Sequence, residues 1–87
     1  MNKLGKIGVI SRYIGECNSL NSATVKAVDA LLLNMEDEKC LPNKDPAELT
    51  KEEIIKGLTE WYGEDFSGLA KVSKVCLDKL YNFFRTQ

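Results

Sequence analysis

The run Leu49-Thr50-Lys51-Glu52-Glu53-Ile54-Ile55-Lys56-Gly57-Leu58-Thr59-Glu60-Trp61-Tyr62-Gly63 carries the plainest structural instruction in the chain. Thr50-x-x-Glu53 has the spacing of a capping box. The Thr50 side chain accepts the Glu53 backbone N–H, the Glu53 carboxylate accepts the Thr50 N–H, and Leu49 and Ile54 close over the start as a hydrophobic staple. A helix is therefore predicted over 51–62. Its inner stripe is Ile54, Ile55, Leu58, Trp61 and Tyr62, and Gly63 supplies a left-handed stop.

Upstream, residues 37–49 hold both prolines, Pro42 and Pro46, with Asn43 and Asp45, and read as a long connection. Before it, Ser22 is a candidate N-cap for a helix over 22–35 that turns Val25, Val28, Leu31, Leu32 and Met35 inward. Glu36, Asp37 and Glu38 follow and belong in solvent, because acids are disfavoured at the negative end of a helix. The first segment, 3–17, repeats Leu4, Ile7, Ile10, Ile14 and Cys17 at helical steps. Gly5, Gly8 and Gly15 weaken it by about 1 kcal/mol each where they are interior, so it should depend on tertiary packing. The same glycines are expected to let another helix approach closely.

The last helix is predicted over 66–85. Leu69, Val72, Cys76, Leu80 and Phe83 form one stripe, and Leu77, Tyr81 and Phe84 form a second beside it, with Val75 at the opposite edge. An apolar surface this wide exceeds what one neighbouring helix covers in a small core. The expectation is an all-α domain of three to four helices spanning 1–87, assembled as a homodimeric helical bundle.

Composition fits a single domain: 87 residues, 44% hydrophobic and 29% charged, outside the low-hydrophobicity, high-charge range of disordered chains. Twelve Lys and Arg against thirteen Asp and Glu give a net charge of -1, so the excess of basic charge that marks generic nucleic-acid binders is missing. The early apolar run is broken by Arg12, too soon for a signal or a membrane span, and a cytoplasmic protein without membrane insertion is expected. Cys17, Cys40 and Cys76 are odd in number and scattered, and read as thiols rather than a disulfide framework or a zinc site.

The chain has no histidine, which removes the usual neutral-pH base and the commonest transition-metal ligand. No Walker loop or dinucleotide fingerprint is present, and the G-x-x-G of the first segment reads as packing. Glu52/Glu53 and Glu64/Asp65 sit at helix starts, where capping explains them without catalysis. The sequence therefore implies no catalytic residue, no cofactor and no metal. The candidate dimer or partner surface is Leu77, Tyr81 and Phe84, with Arg12, Tyr13 and Trp61. Arg12 also reads as a stem covering apolar surface, Tyr13 as a residue at the core edge, and Trp61 as a core residue spaced with Leu58.

From Gly8-Val9-Ile10-Ser11-Arg12-Tyr13-Ile14-Gly15-Glu16-Cys17-Asn18 onward, the order of features resembles the small enterobacterial YmgB/AriR and YcgZ proteins. Val28-Asp29-Ala30-Leu31-Leu32-Leu33, the polar turn, the helix beginning Lys51-Glu52-Glu53-Ile54-Ile55 and the segment Lys71 to Phe84 continue the likeness. The Pro42–Pro46 connection is longer here. The resemblance implies a helical homodimer acting as a connector or regulator of two-component signalling, in biofilm formation and acid or envelope stress. Its partner would be a sensor kinase or another regulator. DNA binding is also attributed to that family, and such a role would need Lys71, Lys74, Lys79, Arg85, Lys3, Lys6 and Arg12 on one face. An inhibitor or immunity protein of a mobile element shares the small size and absent catalytic groups.

Overall fold

The structure, a computed structural model, describes residues 2–36 and 40–86. It holds four helices, α1 (Lys3–Ile14), α2 (Val25–Met35), α3 (Lys51–Tyr62) and α4 (Lys74–Arg85), with single 3-10 turns at Asn18–Ser22, Pro46–Glu48 and Ser67–Leu69. Among the described residues there is no strand, and the fold is all-α as the apolar spacing predicts.

α3 forms where its box places it. The Thr50 side chain accepts from Glu53 N at 3.1 Å, Thr50 N donates to the Glu53 carboxylate at 3.0 Å, and Gly63 ends the helix at φ 70°, ψ 21°. α2 starts two residues later than a Ser22 cap would place it. Residues 18–22 form a 3-10 turn instead, and Thr24 caps the helix by accepting from Ala27 N. α1 is capped by Asn2 and stops at Gly15, short of the predicted residue 17, because Gly15 takes φ 88°, ψ 174° and leaves helical space. Glu36 is exposed at the end of α2, as its charge requires, while Asp37 and Glu38 lie outside the described residues.

The predicted last helix is divided. Ser67–Leu69 forms one turn, and α4 begins only after Ser73, whose side chain accepts from Cys76 N at 3.3 Å. Phe66, Leu69 and Val72 are fully buried along the way, so the apolar spacing is real although the helix is not continuous. Gly68 permits this by lying against α2. A Cβ there would meet Thr24 Oγ1 at 1.9 Å, and Thr24 N donates to Gly68 O at 3.3 Å. Gly8 has nothing near its missing Cβ, as does Gly15, so the close helix approach expected at these glycines is not made.

The core unites α1, α2, α3 and α4 around Ile10, Leu20, Leu31, Leu58, Leu69 and Leu80. Contrary to expectation, Leu77, Tyr81 and Phe84 are not an uncovered row: they are 0%, 4% and 0% exposed. The chain's own 41–46 connection lies over α4, with Leu41 N donating to Phe84 O at 3.2 Å, Tyr81 Oη to Pro42 O at 3.2 Å and Lys74 Nζ to Pro46 O at 2.7 Å. Burial also raises the Tyr81 hydroxyl above its ordinary pKa of 10.0. An extended segment whose carbonyls accept from α4 side chains covers what a second copy was expected to cover.

Instead of the expected thiols, Cys17 and Cys76 are joined by a disulfide, with Cα atoms 5.8 Å apart, while Cys40 is not disulfide-bonded. The bond links positions 59 residues apart, and closing a loop of that size stabilises a small domain by about 2–4 kcal/mol. Such bonds persist in oxidising compartments and act as redox sensors in the cytosol.

Candidate functional site

α1 and α4 meet along a seam that α1 alone could not hold, since Gly5 and Gly8 interrupt it. Four interactions fasten the last turn of α1 and the segment after it to α4. The Cys17–Cys76 bond is one. Ser19 Oγ accepts from Ser73 N at 3.1 Å, Lys79 Nζ donates to Glu16 O at 3.3 Å, and the Tyr13 ring packs on Phe83 with centroids 5.2 Å apart.

The outcome is an open groove of about 490 Å³, lined by Tyr13, Ile14, Lys79, Asn82, Phe83, Arg85 and Thr86. Tyr13 is 47% exposed and forms its aromatic wall. Behind it a ladder of rings, Phe83 on Phe84 at 5.6 Å and Phe84 on Tyr62 at 5.2 Å, runs into the core and fixes the wall from behind. The lining has two cations and no acid. Arg85 Nη1 donates to Lys44 O at 2.9 Å and to Asn43 Oδ1 at 3.3 Å, whereas its Nε is buried without a hydrogen-bond partner.

A second groove of about 400 Å³ lies between α3 and the 41–49 connection, where Leu41, Pro42, Leu49, Trp61 and Tyr81 meet Lys44, Glu53, Lys56 and Glu60. Its charges balance. Glu53 is held in the capping box, which draws its carboxyl below the ordinary 4.5 through the Thr50 backbone and side-chain hydrogen bonds, and Lys56 pairs with Glu60 at 4.0 Å.

Of the residues singled out from sequence, Arg12 and Tyr13 are exposed on α1, and Trp61 is partly exposed beside Tyr81 in the second groove. Leu77, Tyr81 and Phe84 belong to the core. Phe83, Lys79 and Arg85 complete the first groove and were missed as a site: Phe83 reads as one more inward stripe residue, and the two cations gain meaning only once Tyr13 is set beside them.

Of the basic residues of the DNA reading, Lys6 is paired with Asp29 and Lys74 with Asp78, while Lys3, Lys79 and Arg85 donate to backbone carbonyls and keep their charge. Among the described residues no group of three His, Cys, Asp or Glu side chains comes together to hold a metal ion, and no helix is long and apolar enough to cross a membrane. Comparison with protein-family models, with curated proteins and with solved structures finds no match to this chain.

Proposed function

We propose that this chain is a non-enzymatic adaptor that binds an acidic, aromatic-containing segment of a protein partner along the α1–α4 seam. One observation carries the reading: an exposed aromatic wall, Tyr13 on Phe83, flanked by Lys79 and Arg85 with no acid in the lining. Exposed aromatic and Arg side chains dominate binding energy at protein interfaces. Complementary charge speeds encounter and selects the partner.

The resemblance of the Gly8–Asn18 segment supports a regulatory setting, with a sensor kinase or its regulator as the class of partner. A homodimer on this reading cannot use Leu77, Tyr81 and Phe84, which lie inside the monomer. A net charge of -1 favours protein over nucleic acid, whose sequence-independent affinity comes from Lys and Arg neutralising phosphates.

The test is an amide-shift titration of the isotope-labelled protein with a synthetic peptide of Asp and Glu around a central Phe. The Tyr13, Lys79, Phe83 and Arg85 amides should move, and Tyr13→Ala or Lys79→Glu should weaken the peptide about tenfold, a change of about 1.4 kcal/mol. Unmoved seam amides contradict the proposal. So does tighter binding of a single-stranded oligonucleotide with a steep salt dependence, which makes the groove a nucleic-acid site.

A further inference from the structure

The disulfide and the aromatic groove lie on one seam. Tyr13 is in the last turn of α1, four residues before Cys17, which lies beyond the helix, and Lys79 is three residues after Cys76 in α4, so the bond closes the seam one turn away from the groove. The segment between α1 and α2 has no helix of more than five residues to stiffen it. Beyond Leu20 and Ala23, which are buried in the core, its links to α4 are the disulfide, the Ser19–Ser73 contact and the Lys79 bond to Glu16 O.

We propose that the Cys17–Cys76 bond is a redox gate on partner binding: oxidised, it holds Tyr13 against Phe83 and keeps the groove formed; reduced, it releases the end of α1. This rests on the partner-binding reading of the same face.

The chemistry is ordinary thiol–disulfide exchange with a dithiol reductant, a small molecule or a dithiol protein. Its first thiolate attacks the Cys17 sulfur, the residue with 9% of its surface exposed against 1% for Cys76. The S–S bond breaks, and its electron pair leaves with Cys76 as a thiolate. Cys76 is the third residue of α4, and the positive end of a helix stabilises a thiolate and so favours it as the leaving group. The second thiol of the reductant then displaces Cys17 and closes its own disulfide. Two electrons and two protons pass from the dithiol to the cysteine pair. Oxidation by the reverse exchange restores the bond.

The experiment is the titration with the same Asp/Glu/Phe peptide, carried out on air-oxidised protein and on protein held in excess dithiothreitol, with melting curves of both. Reduction should weaken the peptide at least tenfold and shift the amides of residues 13–24 and 73–79. It should also lower Tm by about 10–30 °C for a 59-residue separation. Cys17→Ser/Cys76→Ser should behave as reduced protein without dithiothreitol; if that variant does not fold, the reduced wild type measured at low temperature decides. Cys40→Ser should keep the full redox response.

Equal affinity and equal Tm in the two states overturn the gate while leaving the partner reading intact. Failure of the oxidised protein to bind removes the partner reading, and the gate on it as well. A redox response that disappears in Cys40→Ser assigns the chemistry to the wrong cysteine and overturns the inference.

Discussion

α1 and α3 are both twelve residues long and both carry a glycine in mid-helix, yet they are held in opposite ways. α3 is specified by its neighbours in sequence: the Thr50–Glu53 box, Leu49 against the start, and Gly63 in the left-handed conformation that a non-glycine residue adopts at a cost. α1 has an Asn2 cap but draws the rest of its support from far along the chain. Lys6 reaches Asp29, Tyr13 reaches Phe83, Glu16 O receives Lys79, and Cys17 is bonded to Cys76. The exposed aromatic wall stands on α1 and α4, where a single bond can alter it.

The two glycine stops give the largest expected contrast. Gly15 sits at φ 88°, ψ 174° and Gly63 at φ 70°, ψ 21°. The first is a region open almost only to glycine, so Gly15→Ala should destabilise by about 1–3 kcal/mol, and Gly63→Ala by about 1–2 kcal/mol. Denaturant midpoints measure both. A larger loss at Gly63 would mean that α3, not α1, has the demanding exit.

Next in size is the box. Thr50→Ala should cost about 0.5–2 kcal/mol, read from thermal melts, without shifting the amides of α1. Its pH dependence follows from Glu53, whose carboxyl is lowered by the Thr50 hydrogen bonds, and Asp65, lowered by the Ser67 hydrogen bonds. A carboxyl with a depressed folded pKa stabilises above its unfolded value and loses that stabilisation as pH falls through the folded value. Melting temperature should therefore decline as pH drops below 4.5, and Glu53→Gln should flatten that decline. A decline of unchanged slope in the variant would place the acid sensitivity elsewhere.

The smallest effects have the opposite sign. Gly8 and Gly57 are helical with nothing within 4 Å of an added Cβ, so Gly8→Ala and Gly57→Ala should each stabilise by about 0.5–1 kcal/mol. If Gly8→Ala stabilises but also weakens peptide binding, flexibility of α1 contributes to its function.

The pattern of legibility follows the same division. The four helical regions, the cap at Thr50 and the stop at Gly63 could be read because each is written within a few residues. The start of α4 could not, because Ser67, Ser73 and Asp65 are all competent caps. The choice falls to Ser73, whose N–H meets Ser19 from across the fold. The Tyr81 row looked uncovered because its cover is an extended Pro-containing connection with no apolar period to announce it. The Cys17–Cys76 pairing is a tertiary fact at a separation of 59 residues, and an odd cysteine count gave no reason to expect it. In the groove, Tyr13 was visible as a candidate, but Phe83, Lys79 and Arg85 join it only through the packing of α1 on α4.

A covalent bond pins the segment after α1 to the start of α4, and peptide mapping under non-reducing conditions tests it most directly. Trypsin releases residues 13–26 with Cys17 and residues 75–79 with Cys76 as separate peptides when the thiols are free. From air-oxidised protein the account predicts these two peptides as one linked species, which separates on addition of dithiothreitol. Free thiols at both positions, or a link from either to Cys40, would contradict it.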